Sequence, residues 1–317
     1  MTIEPPAPGE PRRPMGPRDP GDAWVIAPTG ERYWGRFGAA GLLAVDAERG
    51  ILLQHRVGWS HHGGTWALPG GARHENEDAG VAALREAREE AAVPRDAVRQ
   101  RFWSVLDLGI WSYTTVIADV IEPFDPQIAD AESVALEWVP VEEVAERPLH
   151  PGFASAWEHL GPLLSVRPAV VIDAANVVGS VPDGWWRDRA GAAGRLIDRV
   201  GQWQARGVDA DALELPGAHW FPDVSIVLEG QAKAAGLLEG QAKGAALPAD
   251  DSGAGIRVVL APGEGDDEIV AETQRRVASG EQVVVVTSDR GLADRVSAAG
   301  ARVVGAGWLL DQLGERA

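Results

Sequence analysis

Three glutamates, Glu86, Glu89 and Glu90, stand at i, i+3 and i+4 in the run Arg85-Glu86-Ala87-Arg88-Glu89-Glu90-Ala91. On a helix that spacing puts all three carboxylates on one face, where like charges repel. A divalent cation relieves such crowding, and hard oxygen donors suit Mg2+ or Mn2+. The alternative is a solvated helix face on which Arg85 pairs with Glu89. Leu84, Ala87 and Ala91 form an opposing stripe, small and apolar, as in a helix laid closely onto a sheet. The helix is expected to begin near Glu77 or Asp78. Ahead of it, Leu68-Pro69-Gly70-Gly71 predicts a strand that ends in a sharp turn, the glycines supplying positive φ.

Taken as one pattern, Gly71-x5-Glu77-x7-Arg85-Glu86-Ala87-x-Glu89-Glu90-x-Ala92-Val93 resembles the box of the Nudix (MutT-like) hydrolases, with Ala92 standing where the family has glycine. If that position keeps a left-handed backbone, alanine there costs about 1 kcal/mol. The resemblance covers roughly residues 35 to 150. It implies an α/β/α sandwich with a mixed sheet, and Mg2+-dependent hydrolysis of a nucleoside diphosphate linked to another group. On that reading Glu86, Glu89 and Glu90 hold Mg2+ or Mn2+, one glutamate is the base, and Arg85 orients Glu89. The alternative is a module that binds a nucleotide and regulates its neighbour, with Ala92 a sign of drift; the intact carboxylates speak against it. Glu137-Trp138-Val139-Pro140 is also similar to Nudix domains, some of which use an acidic base outside the box. Glu132 is either such a base or a surface glutamate.

A second set of carboxylates follows apolar runs. Asp173 ends the first of these and opens Asp173-Ala174-Ala175-Asn176. Asp266 and Asp267 start a predicted helix after Pro262-Gly263-Glu264-Gly265, and Asp289 follows the run 283–287. The apolar runs at 169–172, 224–228, 256–260, 283–286 and 302–304 do not alternate, and helical stretches at 192–204, 267–278 and 292–299 lie between most of them. That pattern predicts a parallel sheet covered on both faces, with ligands at the carboxyl ends of its strands. Each acid alone could cap a helix or make a turn; together at one sheet edge they would converge on a metal pocket. The arrangement resembles the NYN branch of PIN-like nucleases, whose motifs read strand-D-x-x-N, G-x-D-D-x-x-I and T-x-D. The resemblance implies a Rossmannoid, PIN-like domain acting as a metal-dependent ribonuclease. Asp173, Asp266, Asp267 and Asp289 would be its ligands, Asp173 and Asp289 its catalytic acids, and Asn176 would position Asp173.

The elements around these sites follow from local pattern. Residues 39–46 and 51–56 read as a hairpin across the turn 47–50, residues 101–108 and 111–120 as strands meeting near Gly109, 134–139 as a strand and 153–164 as a helix. Between the first hairpin and the box, Trp59 is placed to stack on a nucleobase. His61 and His62 offer two imidazoles with no third nitrogen or sulfur ligand near in sequence, so they read as loop-lining residues. At 317 residues the chain is expected to form two domains, 21–165 and 166–317, behind a disordered lead-in at 1–20 that carries Pro5, Pro6, Pro8, Pro11 and Pro14. Residues 227–236 are followed at once by a near-copy, 237–246, a tandem repeat of which one copy must lie outside the strand-helix pattern as a loop or helix extension. Cysteine is absent, and no apolar run approaches the roughly 20 residues of a membrane span, so a cytoplasmic protein without a membrane partner is expected. The net charge of −18 is shared by both halves. It opposes tight binding to a nucleic-acid backbone, so RNA would be held weakly and salt-sensitively by the second domain, while the first takes a nucleoside diphosphate-linked small molecule.

Overall fold

The computed structural model describes residues 1–5, 20–182, 184–236 and 256–314, and its chain divides into two units, Met1–Leu164 and Ser165–Ala317. In the first, β1 (Thr2–Glu4), β2 (Trp24–Ile26) and β3 (Arg32–Trp34) make a small antiparallel sheet. Strand β1 corrects the expectation of a wholly disordered lead-in. Thr2 and Ile3 are β-branched and precede the prolines, and Ile3 pairs with Val25. The rest of that segment, 6–19, lies outside the described residues.

The main sheet of this unit comprises β4 (Ala39–Asp46), β5 (Gly50–Arg56), β6 (Trp66–Ala67), β7 (Gly70–Ala72), β8 (Val98–Asp107), β9 (Ser112–Val120) and β10 (Ser133–Val139). The strands run in the order β10-β5-β4-β9-β8, with β6 on β5 and β7 on β4. Strands β4 and β9 are parallel and the other pairs antiparallel, so the sheet is mixed. Helix α1 (Ala79–Ala91) starts where the Asp78 carboxylate accepts the amides of Gly80 and Val81. It lays Ala82, Ala83, Ala87 and Ala91, all fully buried, against Ala40, Leu42 and Ala44 of β4 and Val116 and Ala118 of β9. Methyl-sized side chains bring the helix axis close to the sheet, which sets the depth of the glutamates beside them. Ala92 closes the helix at φ 55°, ψ 30°, the left-handed conformation the sequence raised for this position. Helix α2 (Pro151–Leu163) ends the unit.

The second unit is built on β11 (Pro168–Asp173), and after α3 (Ala174–Gly179) and α4 (Arg189–Arg206) it makes a short β12 (Val208–Asp209), α5 (Ala210–Leu213) and β13 (His219–Trp220). Then follow β14 (Asp223–Leu228), β15 (Ile256–Leu260), α6 (Gly265–Ala278), β16 (Gln282–Val286), α7 (Arg290–Ala298), β17 (Arg302–Val304) and α8 (Ala306–Gln312). The five long apolar runs form one all-parallel sheet in the order β15-β14-β11-β16-β17. Strand order reverses at β11, with β14 on one side and β16 on the other. That is the switch point where open parallel sheets leave a crevice at their carboxyl ends. Helices α6 and α7 cover one face through Ile269, Leu292 and Val296, and α4 packs on β14. The second copy of the tandem repeat, 237–246, falls outside the described residues. No helix among the described residues is long and apolar enough to cross a membrane.

Candidate active site

The glycines of the box turn are required for space, not for the positive φ their sequence suggested; neither Gly70 nor Gly71 is among the residues with positive φ. Strand β7 packs so close to β4 that a Cβ on Gly70 would lie 2.5 Å from Gly41 Cα. One on Gly71 would lie 2.8 Å from the Glu86 carboxyl carbon. The turn is therefore a floor on which the Glu86 carboxylate rests. Glu86 and Glu90 are 2% exposed, while the Glu89 side chain is 44% exposed. The i, i+3, i+4 spacing puts the three on one side of α1, but only the first and last reach the sheet.

Arg85 fixes this arrangement. Its Nε and Nη2 donate to the two oxygens of Glu77, both at 2.8 Å, Nη2 also to the Ala72 carbonyl at 3.0 Å, and Nη1 to Glu86 Oε1 at 2.6 Å. Glu89 Oε2 is farther, at 3.5 Å, so Arg85 chiefly orients Glu77 and Glu86 rather than Glu89 as expected. Burial by itself would raise the Glu77 carboxyl; the bonds from Arg85 and the His74 amide outweigh it and hold the group below the usual carboxylate range.

Glu90 accepts the Gly70 amide at 2.9 Å and faces a loop in which the sequence raised Glu132 but not Asp130. The Gln127 and Ala129 amides donate to the carbonyls of Ala91 and Glu90, at 3.1 Å each. Two otherwise open carbonyls at the helix end thereby anchor the 121–132 segment. This brings Asp130 and Glu132 to Glu90, with one oxygen from each of the three carboxylates within 4.8 Å of the others. Asp130 Oδ1 accepts the Glu132 amide at 3.1 Å, whereas Asp130 Oδ2 is buried with no hydrogen-bond partner among the described residues. A buried acceptor without a donor, inside a group of like charges, fits a hard divalent cation. Burial, and then the Glu90 carboxylate, push the Tyr113 phenol up. Trp59 is exposed on its loop, while Trp66 is buried and stacks on His55 at 4.8 Å.

In the second unit, Asp173, Glu229, Asp266 and Asp289 line a single cavity of about 150 Å3 together with Asn176 and Ile269. Asp173 Oδ1 accepts the Asn176 amide at 3.0 Å and Oδ2 the Thr287 hydroxyl at 2.9 Å. The Asn176 side-chain oxygen in turn accepts the Ser288 amide at 2.9 Å. Asn176 thus holds Asp173 through its main chain and the β16–α7 connection through its side chain. Asp289 accepts the Leu292 amide at 2.9 Å as the cap of α7 while still lining the cavity. Burial, with Asp266 and Glu229 adding to it, raises the Asp173 carboxyl against the pull of its two hydrogen bonds. Asp266 is raised by burial and by Asp289. Asp267 departs from expectation: it is exposed, pairs with Arg295 at 2.6 Å, and does not line the cavity. One helical step turns it outward from Asp266. Glu229, which accepts the Gly265 amide at 2.8 Å, is there instead. It directly follows β14 as Asp173 ends β11, a strand-end position that the tandem repeat obscured. No three of these carboxylates place oxygens within 4.8 Å of one another, so the cavity is more open than the Glu90 group.

A profile described as the NUDIX domain matches residues 35–160. A candidate 8-oxo-dGTP diphosphatase, numbered 3, of Mycobacterium tuberculosis is 46% identical over 153 residues, which span 45% of this chain and 70% of that protein. A nucleoside triphosphate pyrophosphatase/Nudix hydrolase fusion protein of Bifidobacterium longum is 37% identical over 146 residues, 44% of this chain and 30% of that one. Among solved structures, the Nudix hydrolase RenU of M. smegmatis is 46% identical, with a TM-score of 0.43, over 46% of this chain and 96% of its own.

Proposed function

Since the chain belongs to the Nudix family, we propose that its first unit hydrolyses the pyrophosphate linkage of a nucleoside diphosphate derivative. Oxidised purine nucleoside triphosphates are the first class to try, because the 46% identical mycobacterial relative carries that activity in its name. The observation that carries the proposal is the convergence of Glu90, Asp130 and Glu132 beside the Gly70 amide. These three, with Glu86 and Glu89 along the same helix, would hold Mg2+ or Mn2+. Such an ion neutralises pyrophosphate oxygens and lowers the pKa of an attacking water. The protein's own part is to hold the donors in place: Gly70 fixes Glu90, Arg85 fixes Glu77 and Glu86, and the loop anchored on the carbonyls of Glu90 and Ala91 fixes Asp130. Glu132, partly exposed at the edge of the group, would take the proton of the water. Glu90→Gln, assayed against oxidised dGTP, ADP-ribose, NADH and dinucleoside polyphosphates, should lose most Mg2+-dependent release. Wild-type turnover in that variant overturns the assignment, and binding without turnover in the native protein would make the unit a nucleotide sensor.

For the second unit the reading is a metal-dependent, PIN-like ribonuclease. Four carboxylates around one cavity at the switch point of a parallel sheet support it. Asp173, Glu229, Asp266 and Asp289 would hold the cation, and the acidic chain would admit single-stranded RNA only at low salt. Incubation of the full chain with single-stranded RNA and Mn2+, beside Asp173→Asn, tests it. Cleavage by the native chain alone supports the reading, and equal cleavage by both, or none by either, removes it.

A further inference from the structure

Two adjacent histidines find their third partner far along the chain. His61 and His62 lie in the 57–65 loop between β5 and β6, and His150 stands just before α2. His62 takes a left-handed φ of 55°, uncommon for a residue with a side chain. The neighbouring rings, which an extended chain would send to opposite sides, therefore meet at a centroid distance of 4.1 Å. The His62 and His150 rings are 4.7 Å apart and nearly perpendicular. One ring nitrogen from each of the three lies within 4.8 Å of the others, and no carboxylate among the described residues joins the group.

The main chain imposes this meeting. The Trp66 amide donates to the Pro148 carbonyl at 2.9 Å and the His150 amide returns to the Trp66 carbonyl at 2.8 Å. The Thr65 hydroxyl holds the His62 carbonyl at 2.6 Å, and Arg56 Nε donates to that of His61 at 3.3 Å. His61 is further set by the edge of Trp24, 5.4 Å away. Burial, with the other imidazoles and Arg56 adding to it, holds His61 below its usual range and His150 down at about 4. One competing bond exists: His150 Nδ1 accepts the Gly152 amide at 3.1 Å as the cap of α2. A ligating His150 gives up that bond, a single exposed cap interaction that is weak beside a metal–imidazole bond.

We propose that His61, His62 and His150 form a three-imidazole site for a Zn2+-class cation, separate from the carboxylate group, that ties the 57–65 loop to the start of α2. Neutral imidazoles select borderline transition metals over Mg2+, and three of them leave a fourth position open for water or an anionic ligand. The loop leads directly into the box turn, so an ion here would stiffen the approach to the Gly70 floor.

Titration calorimetry of Zn2+ into the full chain under excess Mg2+ tests the site. His62→Asn keeps a residue that tolerates left-handed φ, and His150→Asn keeps a good helix cap, so each removes an imidazole with little cost to the fold. The expected result is one Mg2+-insensitive Zn2+ site, weakened about tenfold or more by either variant and untouched by Glu90→Gln or Asp173→Asn. X-ray absorption of the Zn2+-loaded protein should show imidazole nitrogens at about 2.0–2.1 Å. Affinity unchanged in both histidine variants, or lost with Glu90→Gln or Asp173→Asn, overturns the proposal.

Discussion

Replacing Ala92 by glycine should stabilise the first unit, against the usual rule that glycine weakens helices. Ala92 sits at φ 55°, ψ 30°, where its amide donates to the Arg88 carbonyl at 3.1 Å and the next amide, of Val93, to that of Ala87 at 3.3 Å. Left-handed backbone costs a residue with a Cβ about 1–2 kcal/mol. Glycine's greater freedom in the unfolded chain takes back about 0.4–1 kcal/mol. The difference is a gain of roughly 0.5–1 kcal/mol, with the helix-closing bonds and every carboxylate unmoved. Hydrogen exchange on the full chain reads it locally: amides in the interior of α1 that exchange by unfolding of the unit should slow about two- to fivefold, at unchanged turnover. Faster exchange in Ala92→Gly would refute the strain argument.

Gly71→Ala should do the opposite. Its Cβ would lie 2.8 Å from a Glu86 carboxylate already pinned by Arg85, so overpacking of about 1–3 kcal/mol is expected, visible as a lower urea midpoint together with reduced kcat. Arg85→Lys replaces a fork that grips both oxygens of Glu77 by a single ammonium, and a loss of about 1.5–3 kcal/mol is expected by the same measurement. In the second unit, burial would raise the Glu272 carboxyl, but hydrogen bonds from Arg275 and Ser225 and the charge of Arg276 bring it down to about 2 from 4.5. A depressed carboxylate contributes stability above its unfolded pKa and loses it as pH falls through the folded one. The second unit should therefore lose about 3 kcal/mol between pH 4.5 and 2, and Glu272→Gln should flatten that part of the pH–stability curve.

The helix of the first site was legible because three glutamates at fixed spacing and a stripe of alanines encode both its face and its depth. The parallel sheet was legible because runs such as Val283–Val286 are apolar on both faces. What escaped was brought together by the chain's return. Asp130 lies in an aperiodic segment and reaches Glu90 only because amides 127 and 129 find the open carbonyls of α1. His150 comes to His62 through two main-chain bonds at Trp66, a contact that no local pattern records. Asp266 and Asp267 are equivalent as sequence, and only the phase of α6 separates the one lining the cavity from the one paired with Arg295. Strands of two or three residues, such as β1 and β12, carry too few side chains for alternation to register.

The first site is proposed as a carboxylate group completed from outside the box, by Asp130 and Glu132. Asp130→Asn keeps the shape of the residue and its bond to the Glu132 amide while removing the charge, and its Mg2+-dependent turnover can be measured beside the native chain. A fall in kcat of at least about tenfold, 1.4 kcal/mol, is expected, with half-saturation at higher Mg2+. Native kcat and native Mg2+ dependence in Asp130→Asn, with Glu90→Gln inactive, would contradict it.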